Sequence, residues 1–170
     1  METRTHKFER AGLGKYPYRV VGNYESKYQS IPGDPNCPIQ PGSSCDYCGT
    51  GIINVFVIRS ADGKEFKVGC DCVAKAGDAG LKRQVKQIVN AETTRRRHAR
   101  DDSRIEAGMK LLESCRSALE KTPHPNRWQS SRGLTMADWC DWMMANSGRA
   151  GKLRVVRHVE ELARKRTELC

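Results

Sequence analysis

Two close cysteine pairs limit what this chain can fold into more than any other feature. Cys45-x-x-Cys48 comes first, and Cys70-x-Cys72 follows a stretch with hairpin character. Four thiols in two pairs around a hairpin are the pattern of a tetrahedral zinc site. The expected ligands are Cys45, Cys48, Cys70 and Cys72, with Cys37 as a spare fourth ligand if Cys70 points away. The plain alternatives are ordinary buried or free thiols and a redox C-x-x-C, but a redox motif would not need a second pair at hairpin distance. Four thiolates leave no open position for water, so the expectation is one structural Zn2+. Metal binding of this kind is worth on the order of 10 kcal/mol of folding free energy.

The intervening residues support a hairpin. Ile52, Ile53, Val55, Phe56, Val57 and Ile58 form a run of β-branched and aromatic residues. Asp62-Gly63 is a tight-turn signal, and Phe66 and Val68 alternate with Lys67 as a return strand should. Gly49 stands where the knuckle must turn back, a place that favours positive φ. A C-x-C on a straight strand would hold its sulfurs too far apart for one ion, so a bend is expected at Cys70-Asp71-Cys72, after Gly69. A helix starting near Val73 would make the module treble-clef-like, and without it the module would be a zinc ribbon.

The charge is unevenly placed. The chain has 170 residues, a net charge of +10 and 38% apolar residues, the size of one compact domain or of a small domain with a helical extension. Residues 1–72 hold nine basic and eight acidic side chains, residues 73–121 twelve and seven, and residues 122–170 nine and five. A positive field behind the metal module favours DNA, RNA or another acidic partner. The plain alternative is a basic, solvated helix surface. No apolar run reaches membrane-span length, so no membrane partner is expected. The start is charged and lacks the apolar stretch of a secretory signal. The expected compartment is therefore the cytoplasm, where eight cysteines mean thiols and metal ligands.

Residues 1–44 are rich in proline and glycine and read as an irregular arm around the metal module, with one short strand at 18–22. Tyr16, Tyr18, Tyr24 and Tyr28 either pack on the hairpin, the commoner use, or present stacking faces. After a hinge at 76–80, Leu81, Val85, Ile88 and Val89 fall at helical spacing, with Lys82, Arg83 and Lys86 on the other face. Arg95, Arg96, Arg97 and Arg100 form the densest basic patch. Ile105, Met109, Leu112, Cys115 and Leu119 continue an apolar stripe, with Cys115 in the core. Ser103-x-x-Glu106 has the form of a capping box, so 81–121 reads equally well as one helix or as two. Thr122-Pro123 ends it. Thr135-x-x-Asp138 is placed to cap a short helix carrying Trp139, Trp142, Met143 and Met144, the tryptophans more often a core wedge than a ligand platform. Leu153, Val156, Val159 and Leu162 mark a last helix, with Arg154, Arg157, Arg164, Lys165 and Arg166 on its polar sides. Cys140 and Cys170 carry no pairing signal.

Several chemistries lack their residues. A treble-clef nuclease needs histidines in the hairpin and helix, and none lies between Cys45 and Cys72. A nucleobase deaminase needs H-x-E upstream of P-C-x-x-C, whereas His158-Val159-Glu160 lies downstream of the C-x-x-C. Neither Gly12-Leu13-Gly14-Lys15 nor the run from Gly148 to Lys152 is a phosphate loop. No catalytic group stands out and no small-molecule substrate is implied, so the expectation is a protein that is not an enzyme.

The run Cys45-Asp46-Tyr47-Cys48-Gly49, then Ile52, Asp62-Gly63-Lys64 and Phe66 to Val73, resembles a small four-cysteine zinc module of uncharacterised bacteriophage and plasmid proteins. The opening from Lys7 to Lys15 is similar to the start of some of them. The resemblance covers roughly the first 80 residues. It implies an origin in a mobile element of a bacterial host and ligation at Cys45, Cys48, Cys70 and Cys72, and it implies no activity. The expected architecture is α+β: a turn-rich arm and zinc-stapled β-hairpin module over 1–76, then a basic helical region of three to four helices over 77–170. The expected function is a non-catalytic nucleic-acid-binding accessory or regulatory protein, with phosphate contacts from Lys82, Arg83, Lys86, Arg95, Arg96, Arg97 and Arg100. The alternative is an inhibitor or adaptor that binds a host protein.

Overall fold

The structure is a computed structural model that describes the backbone of residues 5–167 and the side chains of residues 5–165. Cys170 lies outside the described residues. The chain mixes helix with small antiparallel sheets and divides into two compact units between Glu92 and Thr93. No helix of the described residues is long and apolar enough to cross a membrane.

The first unit opens with a single-turn helix, α1 (Lys7–Arg10), which the sequence reading left as arm. His6 caps it by accepting the Phe8 N–H at Nδ1. This turn places Phe8, fully buried, edge-on to Tyr18, Tyr47 and Phe66. β1 (Arg19–Glu25) follows, then the two-residue strands β2 (Lys27–Tyr28), β3 (Gln40–Pro41), β4 (Ser43–Ser44) and β5 (Gly51–Ile52). β2 pairs with β3, and β4 pairs with β5 to close the Cys45–Thr50 knuckle. The expected hairpin is present as β6 (Asn54–Arg59) and β7 (Glu65–Val68), with Phe56 opposite Val68 and Ile58 opposite Phe66. Gly63 makes the turn at φ 84. β1 pairs antiparallel with β6, so the sheet order is β1-β6-β7.

Alternation along this hairpin gives the sheet one buried face. Phe56, Ile58, Phe66 and Val68 point into a core completed by Phe8, Tyr18, Val73, Leu81 and Val85. Of the four tyrosines of the arm, Tyr18 alone packs there, its hydroxyl donating to the Gly14 carbonyl at 2.5 Å. Tyr16, Tyr24 and Tyr28 are exposed, against the expectation that they pack on the hairpin. Gly14 has φ 108, and a β-carbon there would collide with Ser60. The arm can therefore run flush against the hairpin turn, where Asp62 accepts the Lys15 N–H at 3.0 Å.

α2 (Cys70–Ala76) leaves directly from the hairpin and ends at Gly77, φ 84. Asp78 caps the next helix by accepting the Leu81 N–H at 3.0 Å. That helix, α3 (Ala79–Ser114), runs through the whole stretch that sequence could read as one helix or two. Ser103 does not cap a new start; its hydroxyl donates back to the Ala99 carbonyl at 3.1 Å. Leu81, Val85 and Ile88 pack on the first core, while Val89 is exposed.

The second unit is helical: the rest of α3, then α4 (Arg116–Glu120), α5 (Arg127–Ser130), α6 (Met136–Asn146) and α7 (Arg149–Thr167). Residues 77–170 thus hold five described helices rather than three or four, because α4 and α5 are single short turns. α6 starts as expected from a reciprocal box, Asp138 accepting the Thr135 N–H while Thr135 accepts the Asp138 N–H. Leu112, Cys115, Leu119, Met136, Ala137, Cys140, Val155 and Val159 form its core, with Trp139 and Leu162 packed against it. Two parts of the expected pattern are corrected. Met109 is 55% exposed, and the inward position one residue earlier is Gly108, where a methyl group would overlap the Val156 side chain. A close helix crossing needs the glycine there, so the stripe is set by the neighbour and not by apolar spacing. Trp142 is 61% exposed and no core wedge, whereas Trp139 is half-buried.

Candidate metal centre

The knuckle is built before any metal is considered. Cys45 N–H donates to the Thr50 carbonyl at 2.9 Å, and Gly49 N–H to the Cys45 carbonyl at 2.8 Å. Gly49 takes φ 73 to reverse the chain. Asp46 then clamps the knuckle to β7: its N–H donates to the Lys67 carbonyl at 2.8 Å, and its carboxylate accepts the Lys67 N–H at 2.6 Å. The buried sulfur of Cys45 lies 3.5 Å from that of Cys72, which lies 3.3 Å from that of Cys48. All three sulfurs fall within 4.8 Å of one another and are free thiols. A disulfide would bring two of them to about 2.05 Å. Around a tetrahedral ion with bonds of about 2.3 Å, sulfurs stand about 3.8 Å apart. The cluster is therefore compatible with a metal site, and no histidine or carboxylate joins it among the described residues.

The structure brings together three of the four expected ligands. Cys70 stands outside the cluster, exposed, its sulfur 3.5 Å from the Asp71 carboxylate. The cause is the early start of α2. Sequence reading put the helix at Val73 and a bend at the C-x-C, but the helix already includes Cys70 and Cys72. Side chains two apart on a helix diverge by about 200° and do not face one point. Cys37, half-buried in a turn after Asp34, also stands outside the cluster.

Local chemistry separates the thiols. Hydrogen bonds with the Thr50 hydroxyl and backbone, and then with Cys72, draw the pKa of Cys48 down to about 7. Burial, and then the neighbouring Cys48 and Cys45, push Cys72 up to about 12. One sulfur is thus ready to lose its proton near neutrality, and a bound cation would have to displace the proton of Cys72. Burial and Asp71 push the Cys70 thiol up. Sequence reading missed Asp46 and Thr50, although both sit within two residues of Cys48. Beside the cluster lies a cleft of about 420 Å³, whose walls include Cys48, Cys72, Cys70, Asp71, Thr50 and Lys75.

The expected phosphate contacts fall in two places. Lys82, Arg83 and Lys86 are exposed on the first turns of α3 in the first unit. Arg95, Arg96, Arg97 and Arg100 belong to the second unit, in a stretch where every residue from Thr93 to Arg100 is exposed. Arg97 is 3.9 Å from Asp101. Elsewhere in that unit, Arg104 pairs with Glu160 at 2.6 Å, Arg116 with Asp141 at 2.7 Å and Arg149 with Asp102 at 2.9 Å.

Comparison of the chain with protein-family models, with curated proteins and with solved structures finds no match.

Proposed function

We propose that this is a zinc-containing nucleic-acid-binding accessory or regulatory protein without catalytic activity. Zinc suits three clustered thiols, because soft thiolate ligands select it over magnesium or calcium. The observation that carries the nucleic-acid reading is the exposed Arg95–Arg100 stretch. Four arginines within six residues, on a stretch of helix solvated on every side, set a dense positive charge within reach of a phosphate backbone. Lys82, Arg83 and Lys86 add phosphate contacts on the first unit. Contacts of this kind are sequence-tolerant and weaken steeply with salt. The resemblance of the front half to modules of bacteriophages and plasmids supports an origin in a mobile element and action in the bacterial cytoplasm. The test is binding of the full chain to DNA and RNA from low to physiological salt, with an Arg95→Ala, Arg97→Ala, Arg100→Ala variant beside the wild type. Weakened binding and a shallower salt slope in the variant support the reading. Undetectable binding at low salt removes it.

One observation favours a second reading. Trp142 exposes 61% of its surface, and tryptophan is a common anchor of protein interfaces. An adaptor or inhibitor would use it to bind a host protein. Capture of one defined bacterial protein, resistant to nuclease and lost with Trp142→Ala, would select this reading.

A further inference from the structure

We infer that the protein supplies three thiolates to its metal, and that the fourth coordination position opens onto the neighbouring cleft, where an exchangeable neutral donor occupies it. The inference rests on the metal reading of Cys45, Cys48 and Cys72 and deepens it. Three observations carry it. First, the sulfur cluster holds three members among the described residues, with spacings of 3.3 and 3.5 Å measured through Cys72. Second, the thiol nearest in sequence, Cys70, is turned away by the helix that starts at it, so joining the cluster would require unwinding the first turn of α2. Third, two of the three thiols, Cys48 and Cys72, themselves form part of the wall of a cleft large enough for several waters or a small ring.

The turned-away Cys70 and the open cleft leave the position to a donor from solvent. A divalent ion with three thiolates already carries one net negative charge. A fourth thiolate would raise that to two, in a cleft whose wall carries both the Asp71 carboxylate and Lys75. A neutral donor adds no charge. Solvent water fits at rest, and a neutral nitrogen base such as imidazole fits as its replacement. A closed four-thiolate centre only holds a fold, whereas an open position makes a centre that can also take up a ligand.

The experiment replaces the native metal of the full chain with cobalt(II) and reads stoichiometry, sulfur-to-cobalt charge transfer and the visible ligand-field bands, with and without imidazole. One cobalt per chain is expected, with charge-transfer intensity unchanged in Cys70→Ser and Cys37→Ser and lowered by about a third in Cys48→Ser, whose side chain is exposed. Imidazole should shift the ligand-field bands in the wild type without releasing the ion. Loss of about a quarter of the charge-transfer intensity in Cys70→Ser or Cys37→Ser, with bands indifferent to imidazole, overturns the open position and leaves the metal centre standing. No cobalt taken up by the wild type overturns both.

Discussion

The two units reach stability by different means. The second buries a stripe of Leu112, Leu119, Val155, Val156 and Val159 between helices and ties its surface with arginine–carboxylate pairs. The first has a three-stranded sheet, two-residue ladders and an irregular arm, and its core includes two sulfurs that belong to the thiol cluster. Apolar packing alone can account for the second unit. There the buried Cys115 and Cys140 pack as ordinary core residues, whereas the first unit gathers three thiols into one cluster, which is compatible with a metal site. Small modules commonly need such a staple, because they bury too little surface. A natural pair of probes separates the units: all three tryptophans lie in the second, all five tyrosines in the first.

Removing the metal should break the comparison most visibly. Chelation, or Cys72→Ser, is expected to cost the first unit on the order of 10 kcal/mol and abolish its near-ultraviolet tyrosine signal. Tryptophan emission should stay as it was. Next in size is Leu119→Ala, at a fully buried position, with an expected loss of about 2–5 kcal/mol. Urea titration should show that loss in the tryptophan transition, with the tyrosine transition unmoved. Gly108→Ala forces a methyl group onto Val156 and should cost the second unit about 1–3 kcal/mol by the same measurement. Thr135→Ala removes the α6 box, for about 1 kcal/mol.

The smallest effect is acid sensitivity in the first unit. Burial lowers the His6 pKa below its ordinary 6.5, against the opposing pull of Asp78. The unfolded chain therefore takes up a proton more readily than the folded one, so this contribution is complete above about pH 6.5 and is lost as pH falls below it. Protonation also ends the acceptance of the Phe8 N–H at Nδ1. The tyrosine-detected urea midpoint should fall further between pH 7.5 and pH 5.5 in wild type than in His6→Asn, and an equal fall would contradict this.

What could be read from the sequence was local or periodic. The hairpin showed in the alternation of Phe56 to Val68 and in Asp62-Gly63, and the α6 start in Thr135 and Asp138. Three cluster members were legible because Cys45-x-x-Cys48 and Cys72 flank that hairpin. The misreadings, and the choice left open at Ser103, turn on helix length, helix geometry and what a neighbour does. Four residues of α1 are too few for a periodic signal, yet Phe8 anchors a core. Met109 fits the stripe by spacing, but the close approach of Val156 selects Gly108. Ser103 has the spacing of a cap, but its hydroxyl turns back along an unbroken helix. Cys70 pairs with Cys72 in sequence, and helix geometry then parts them.

The central claim is that a metal held by Cys45, Cys48 and Cys72 shapes the first unit while the second folds without it. Elemental analysis of the purified full chain, followed by chelation under simultaneous tyrosine and tryptophan detection, tests it most directly. The account predicts about one zinc per chain, and loss of the tyrosine signal alone when the zinc is withdrawn. A chain free of metal with its tyrosine signal intact and unchanged by chelator would contradict it.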